Sequence, residues 1–136
     1  MNFNKKINAF TLQELLIVLV IIGILVLLAL PSLMPLISKT KSTEAKLQLE
    51  HVYNLQKMYF MEHSRYSDNL EAISFEQAPL ITESENGNAN YKIEIIQNSN
   101  NQFLARATAV VDFDGDGEYN VWEIDHNKAL KEIVKD

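Results

Sequence analysis

Between Glu14 and Lys39 no charged residue occurs, and from Leu15 to Ile37 nearly every position is apolar. A run of that length with no polar face predicts a helix apolar on all sides, and ~20 residues suffice to cross a hydrocarbon core. Pro31 and Pro35 are expected to kink or locally break it, since each removes a backbone bond and crowds the preceding turn. The pattern then becomes amphipathic. The stretch SKTKSTEAKLQLEHVYNLQKMYFMEHSRY has no Gly or Pro, and Ala45, Leu49, Val52, Tyr53, Tyr59 and Phe60 approximate a stripe at helical spacing. Lys39, Lys41, Glu44 and Lys46 fall at its start, as suits a helix leaving a membrane for water. Beyond Arg65, SDNLEAISFEQ predicts an N-capped helical turn carrying Leu70, Ile73 and Phe75 inward, and ESENGNAN a polar loop. NYKIEIIQ alternates Tyr91, Ile93 and Ile95 against Lys92 and Glu94, which predicts a strand joined through NSNN to a second strand in QFLARATAVV. NVWEID predicts a third, HNK a turn, and ALKEIVKD a last strand or short helix. The expected fold class is α+β: one long N-terminal, membrane-spanning helix and a small antiparallel sheet of about four strands.

At 136 residues the chain has room for that helix and one small domain; the 47% hydrophobic content is inflated by the apolar run. Twelve basic against 18 acidic side chains give a net charge of −6, which argues against a nucleic-acid partner, whose phosphates demand basic patches. With no Cys, an exported domain cannot be stapled by disulfides, so another constraint is expected to hold it. An enzyme is not expected, as there is no Cys nucleophile and no glycine-rich phosphate loop. His51, His63 and His126 lack metal-ligand spacing and read as neutral surface residues. Trp122 reads as a core anchor.

Glu14 stands at the head of the apolar run. An ionised carboxylate in hydrocarbon costs roughly 2.5 to 3.5 kcal/mol on insertion scales, so it needs a partner. The segment before it, MNFNKKINA, carries Lys5 and Lys6 and no acid. A cut after Ala9 would create a positive amine on Phe10, on the same helix face as Glu14 four residues on. Between parallel helices offset by about one turn, ~5.4 Å, the amine of one copy would meet Glu14 of the next and fix their register. The two lysines place the N-terminus in the cytoplasm and everything after the span outside it. A secretory signal peptide has a shorter core, ~7–15 residues, and an A-x-A-like site that LALPSLMP does not offer. A plain anchor leaves Glu14 unexplained.

The stretch AFTLQELLIVLVIIGILVLLALP, with its short basic leader, small residue and Phe at the junction, Thr next and Glu four residues after the Phe, resembles the N-terminal signature of type IV pilins and type II secretion pseudopilins. The likeness covers about the first forty residues. It implies a leader over residues 1–9, an assembly segment over 10–37 and an exported domain over 38–136. A prepilin peptidase would cut between Ala9 and Phe10 and methylate the Phe10 amine. Subunits would then polymerise through their long helices at an inner-membrane platform, with minor (pseudo)pilins, into a homo-oligomeric filament. Ala9 stands where the family usually has glycine. The family's upper helix packs on a small antiparallel sheet, and Gly23 and Pro31 match the positions between which its helix loosens in filaments.

A second motif lies in VVDFDGDGEYNVWEID. Asp112 to Glu123 fit a twelve-residue calcium-loop pattern: Asp112, Asp114 and Asp116 at positions one, three and five, Gly117 at six, Asn120 at nine and Glu123 at twelve. A hard cation wants six to eight oxygens at about 2.3–2.6 Å, and alternate carboxylates on a sharp turn converge on it. The Glu118 carbonyl would contribute. Because strands are expected on both sides, the loop over 112–125 is read as clipped into a sheet, a geometry in which Asp125 could replace Glu123. The resemblance also implies calcium, which some pilins and major pseudopilins use near their C-terminus, although the Pro-Trp-Gly segment of major pseudopilins is missing. Two functions fit these features: a filament subunit with a Ca²⁺-stabilised end, or a monomeric, membrane-anchored calcium-binding module.

Overall fold

The computed structural model describes residues 8–136; the leader lysines Lys5 and Lys6 lie outside the described residues. The protein has one helix and one sheet, in the order α1 (Leu12–His63), β1 (Tyr91–Asn98), β2 (Phe103–Ala109), β3 (Val121–Asp125) and β4 (Leu130–Val134). Two compact units divide at Met34/Pro35.

In the first unit every large apolar side chain from Leu15 to Met34 is at least 44% exposed, as the all-round apolar pattern requires. The helix is long and apolar enough to cross a membrane. α1 runs without interruption through Pro31 and Pro35, so the expected local break is not present. Each proline deletes one bond, to the Leu27 and Pro31 carbonyls respectively, while the turns on either side stay closed. The Ser32 hydroxyl also donates to the Ala29 carbonyl at 2.8 Å, holding that turn.

In the second unit Ala45, Leu49, Val52 and Gln56 form the buried stripe of α1. They pack on an antiparallel meander of order β1-β2-β3-β4. β2 turns Phe103, Ala105, Ala107 and Ala109 toward the core and Leu104, Arg106 and Thr108 outward. The three alanines leave room for the helix stripe, while Tyr91, Ile93, Phe103 and Ile124 fill the flanks. The alternation predicted for β1 holds at Tyr91 and Ile93 and ends in a bulge between Ile95 and Gln97. ALKEIVKD forms a strand rather than a helix.

The chain leaves α1 through Ser64, whose φ of 55° lies in the left-handed region and whose N–H donates to the Phe60 carbonyl. Buried Gln56 then captures Ser67 from both sides, donating to its carbonyl at 2.7 Å and accepting from its N–H at 3.0 Å. The predicted capped turn is a single one. Asn69 accepts from the Glu71 N–H, and Ser74, at φ 60°, closes it with Phe75 N–H on the Leu70 carbonyl. Ile73 and Phe75 are buried beneath it, and Leu70 packs alongside. Helix and sheet are further stapled by Glu44, whose two oxygens accept from the Asn90 main chain and side chain at 2.8 and 2.7 Å.

Candidate functional site

At the head of α1, Thr11 and Glu14 form a reciprocal cap. The Thr11 N–H donates to Glu14 Oε2 at 2.9 Å, and the Glu14 N–H donates to Thr11 Oγ1 at 3.3 Å. This is the Ser/Thr-x-x-Glu capping box, and it satisfies two donors that a helix start leaves open. Phe10 is 81% exposed immediately before it, and Ala9 is also exposed. The carboxylate therefore has a local role beside any interchain one, and the T-x-x-E spacing carries its signal.

The acidic loop sits between β2 and β3. Asp112, Asp114 and Asp116 each bring a carboxylate oxygen within 4.8 Å of the others'. The loop curls because Gly115 and Gly117 take φ of 82° and 92°, where a side chain would strain the backbone. Its amides point inward at the carboxylates. Gly115 and Gly117 donate to the two oxygens of Asp112 at 2.6 and 2.7 Å, Asp116 donates to Asp114, and Glu118 to Asp116. The Gly117 amide, with Gly115 and others behind it, holds the Asp112 carboxyl below its ordinary range. For Asp114 the Asp116 amide pulls the same way. Partial desolvation and repulsion from Asp116, Asp136 and Asp112 outweigh it and leave Asp114 raised.

The other expected ligands are engaged elsewhere. Asn120 is fully buried: its oxygen accepts from the Tyr91 hydroxyl at 2.7 Å, and its amide donates to Glu132 and the Val134 carbonyl. Glu123 lies in β3 opposite Arg106, which donates to its Oε1 from Nε at 2.8 Å and Nη2 at 2.6 Å. Asp125 caps the β3–β4 turn, accepting from Asn127 and Ala129. Glu118 is exposed, with only its amide tied to Asp116. A residue absent from the spacing argument takes part instead. The Asp136 carboxylate accepts from the Phe113 and Asp114 N–H groups at 2.9 and 3.0 Å, and its carbonyl accepts from the Ser38 hydroxyl. Nothing local to the loop's sequence announces that clamp.

Trp122 packs at the core margin with Lys46 4.5 Å above its ring. The His51 ring lies tilted beside Phe75 and His63 stacks on Tyr59, and the histidines join no metal-ligating group among the described residues.

A capped apolar helix continuing into an α+β domain of one helix and a four-stranded meander is a pilin-like architecture. Residues 31–117 match the family model described as type IV minor pilin ComP, DNA uptake sequence receptor, and residues 4–30 match the prokaryotic N-terminal methylation motif. The type IV major pilin protein PilA of Myxococcus xanthus (strain DK1622) is 44% identical over 73 residues, 54% of this chain and 33% of that protein. The chain thus spans about a third of the length of that relative. It belongs to the type IV pilin family.

Proposed function

We propose that the protein is a structural, non-enzymatic subunit of a type IV pilus-like or type II secretion pseudopilus filament. The observation that carries this reading is the uncovered apolar helix of the first unit, from Leu15 to Met34, headed by Phe10 and Glu14. Such a surface is stable only in lipid or against other apolar helices. It is held first in the inner membrane, with the N-terminus cytoplasmic and the domain outside, and then by neighbouring copies. A prepilin peptidase cuts between Ala9 and Phe10 and methylates the new amine, and an assembly platform with minor (pseudo)pilins stacks the subunits. Mass spectrometry of the mature chain tests this: methylated Phe10 is the expected N-terminus. An intact Met1 in cells that make filaments overturns it.

The capping box favours a second reading. If Glu14 does no more than cap α1, no neighbour is needed and the chain is a monomeric anchored module.

For the acidic loop we propose Ca²⁺ bound by Asp112, Asp114 and Asp116 with the Glu118 carbonyl, water completing the six to eight oxygens a calcium ion takes. The three gathered carboxylates support this. Asn120, Glu123 and Asp125, tied into the sheet and its turn, stand outside this ligand set and frame the loop. The ion would neutralise repulsion that the loop otherwise carries.

The DNA receptor role named for ComP is not part of the reading for this chain. Its 18 acidic side chains against 12 basic ones, with an acidic loop exposed, oppose phosphate contacts.

A further inference from the structure

β1 is an edge strand, and its outer side is closed for one rung and open for the next. The Asn90 carbonyl accepts from the Val110 N–H on the β2 side. Antiparallel alternation then turns the main-chain groups of Tyr91, Ile93 and Ile95 away from β2. The side chain of Gln77 stands in for a missing strand there. Its Nε2 donates to the Tyr91 carbonyl at 3.1 Å, and its Oε1 accepts from the Ile93 N–H at 2.9 Å. The following rung, the Ile93 carbonyl and the Ile95 N–H, has no partner among the described residues.

That rung faces a shallow groove of about 900 Å³. Asp68, Glu71, Glu76 and Glu94 line it, and its one cation, Lys92, is already paired with Glu94 at 3.0 Å. Three carboxylates therefore remain uncompensated beside an open sheet edge. An unblocked edge is a template for another strand, and proteins that do not use one usually guard it with lysine, proline or a covering segment. Here Gln77 covers one rung, Lys92 is held by Glu94 and a bulge follows Ile95, while the charge beside the open rung is negative.

We propose that this edge docks an extended polypeptide segment in which lysine or arginine alternates with apolar residues. Its main chain completes the Ile93–Ile95 rung, and its cations meet Asp68, Glu71 and Glu76. Alternate side chains of an added strand point to opposite sides, so one set reaches the carboxylates while the other lies against half-buried Ile95, Ile93 being closed off in the core.

The test uses the full chain in detergent micelles with ¹⁵N-labelled isoleucine, and a blocked hexapeptide alternating lysine and valine. Hydrogen exchange at the Ile95 amide is expected to slow at least tenfold at saturating peptide. A glutamate–valine hexapeptide and a fully N-methylated lysine–valine hexapeptide should leave it unchanged, the first lacking the charge and the second the main-chain donors. The double variant Glu71→Gln, Glu76→Gln, two exposed side chains, should weaken binding about fivefold. No slowing by the lysine–valine peptide overturns the proposal, as does equal slowing by either control. So does protection of Ile95 that rises with the concentration of the chain alone, which would mean that a second copy fills the edge.

Discussion

Replacing Glu14 by glutamine separates the two roles that the head of α1 supports. The capping box survives Glu14→Gln, because the amide carbonyl can accept the Thr11 N–H now held at 2.9 Å and the Thr11 hydroxyl still accepts the N–H of residue 14. Only the charge is lost. If Glu14 is a cap and nothing more, glutamine keeps the box and alanine costs roughly 0.3–1.5 kcal/mol. If it also neutralises the Phe10 amine of an adjoining copy, glutamine leaves a desolvated cation unpaired at a cost of about 3 kcal/mol or more. At ~1.4 kcal/mol per decade, that raises the subunit concentration needed for assembly roughly 100-fold. The assay compares sheared filaments with the membrane pool by quantitative immunoblot for wild type, Glu14→Gln and Glu14→Ala, with cleavage at Phe10 checked in each. Loss of filaments with both variants is expected. Wild-type filament yield from Glu14→Gln beside a defect in Glu14→Ala would refute the interchain pairing and leave the cap as the whole role.

In calcium titrations of the full chain, a free concentration about 100 times the dissociation constant should stabilise the domain by ~2.7 kcal/mol. Asp114→Ala should abolish the shift and Glu123→Gln should keep it, since Glu123 is held by Arg106; no shift at millimolar calcium counts against the site. Desolvation, aided by Glu44, Asp136 and Glu132, pushes the Tyr91 phenol above its usual value. A raised phenol contributes fully below its unfolded pKa of about 10 and less as pH rises beyond it, so melting temperature should fall above pH ~10, with a flatter profile in Tyr91→Phe. Gln56→Leu strands the Ser67 N–H and carbonyl in the interior and should cost ~2–4 kcal/mol by urea denaturation, whereas a loss under 1 kcal/mol would mean water replaces the amide. Fluorescence anisotropy with a labelled DNA duplex at about 50 mM salt should show no saturable binding, and micromolar affinity there would reverse the argument from charge.

The long helix, the Ala45, Leu49 and Val52 part of its buried stripe and the positions of the strands could be read from the sequence because each rests on a periodicity: continuous apolar residues, then helical spacing, then alternation. The three loop aspartates were equally legible, since a two-residue spacing on a glycine turn is a local property. What escaped depends on residues far apart in the chain. Glu123 satisfies the spacing of a calcium loop, but the register of β2 on β3 sets Arg106 opposite it. Asn120 satisfies it too, yet Tyr91 and β4 surround its amide. The Asp136 clamp joins positions more than twenty residues apart, and no spacing rule anticipates it. The prolines misled in the opposite sense, because a rule about single bonds does not weigh the many intact turns around them.

The inner face of β2 offers three methyl groups where other strands would offer bulk, and α1 settles onto them. Tolerance to substitution along β2 is therefore uneven. Positions 104 and 108 tolerate changes of size, and 106 is held to a cation by Glu123, while 105, 107 and 109 admit hardly an added carbon without prising the layers apart.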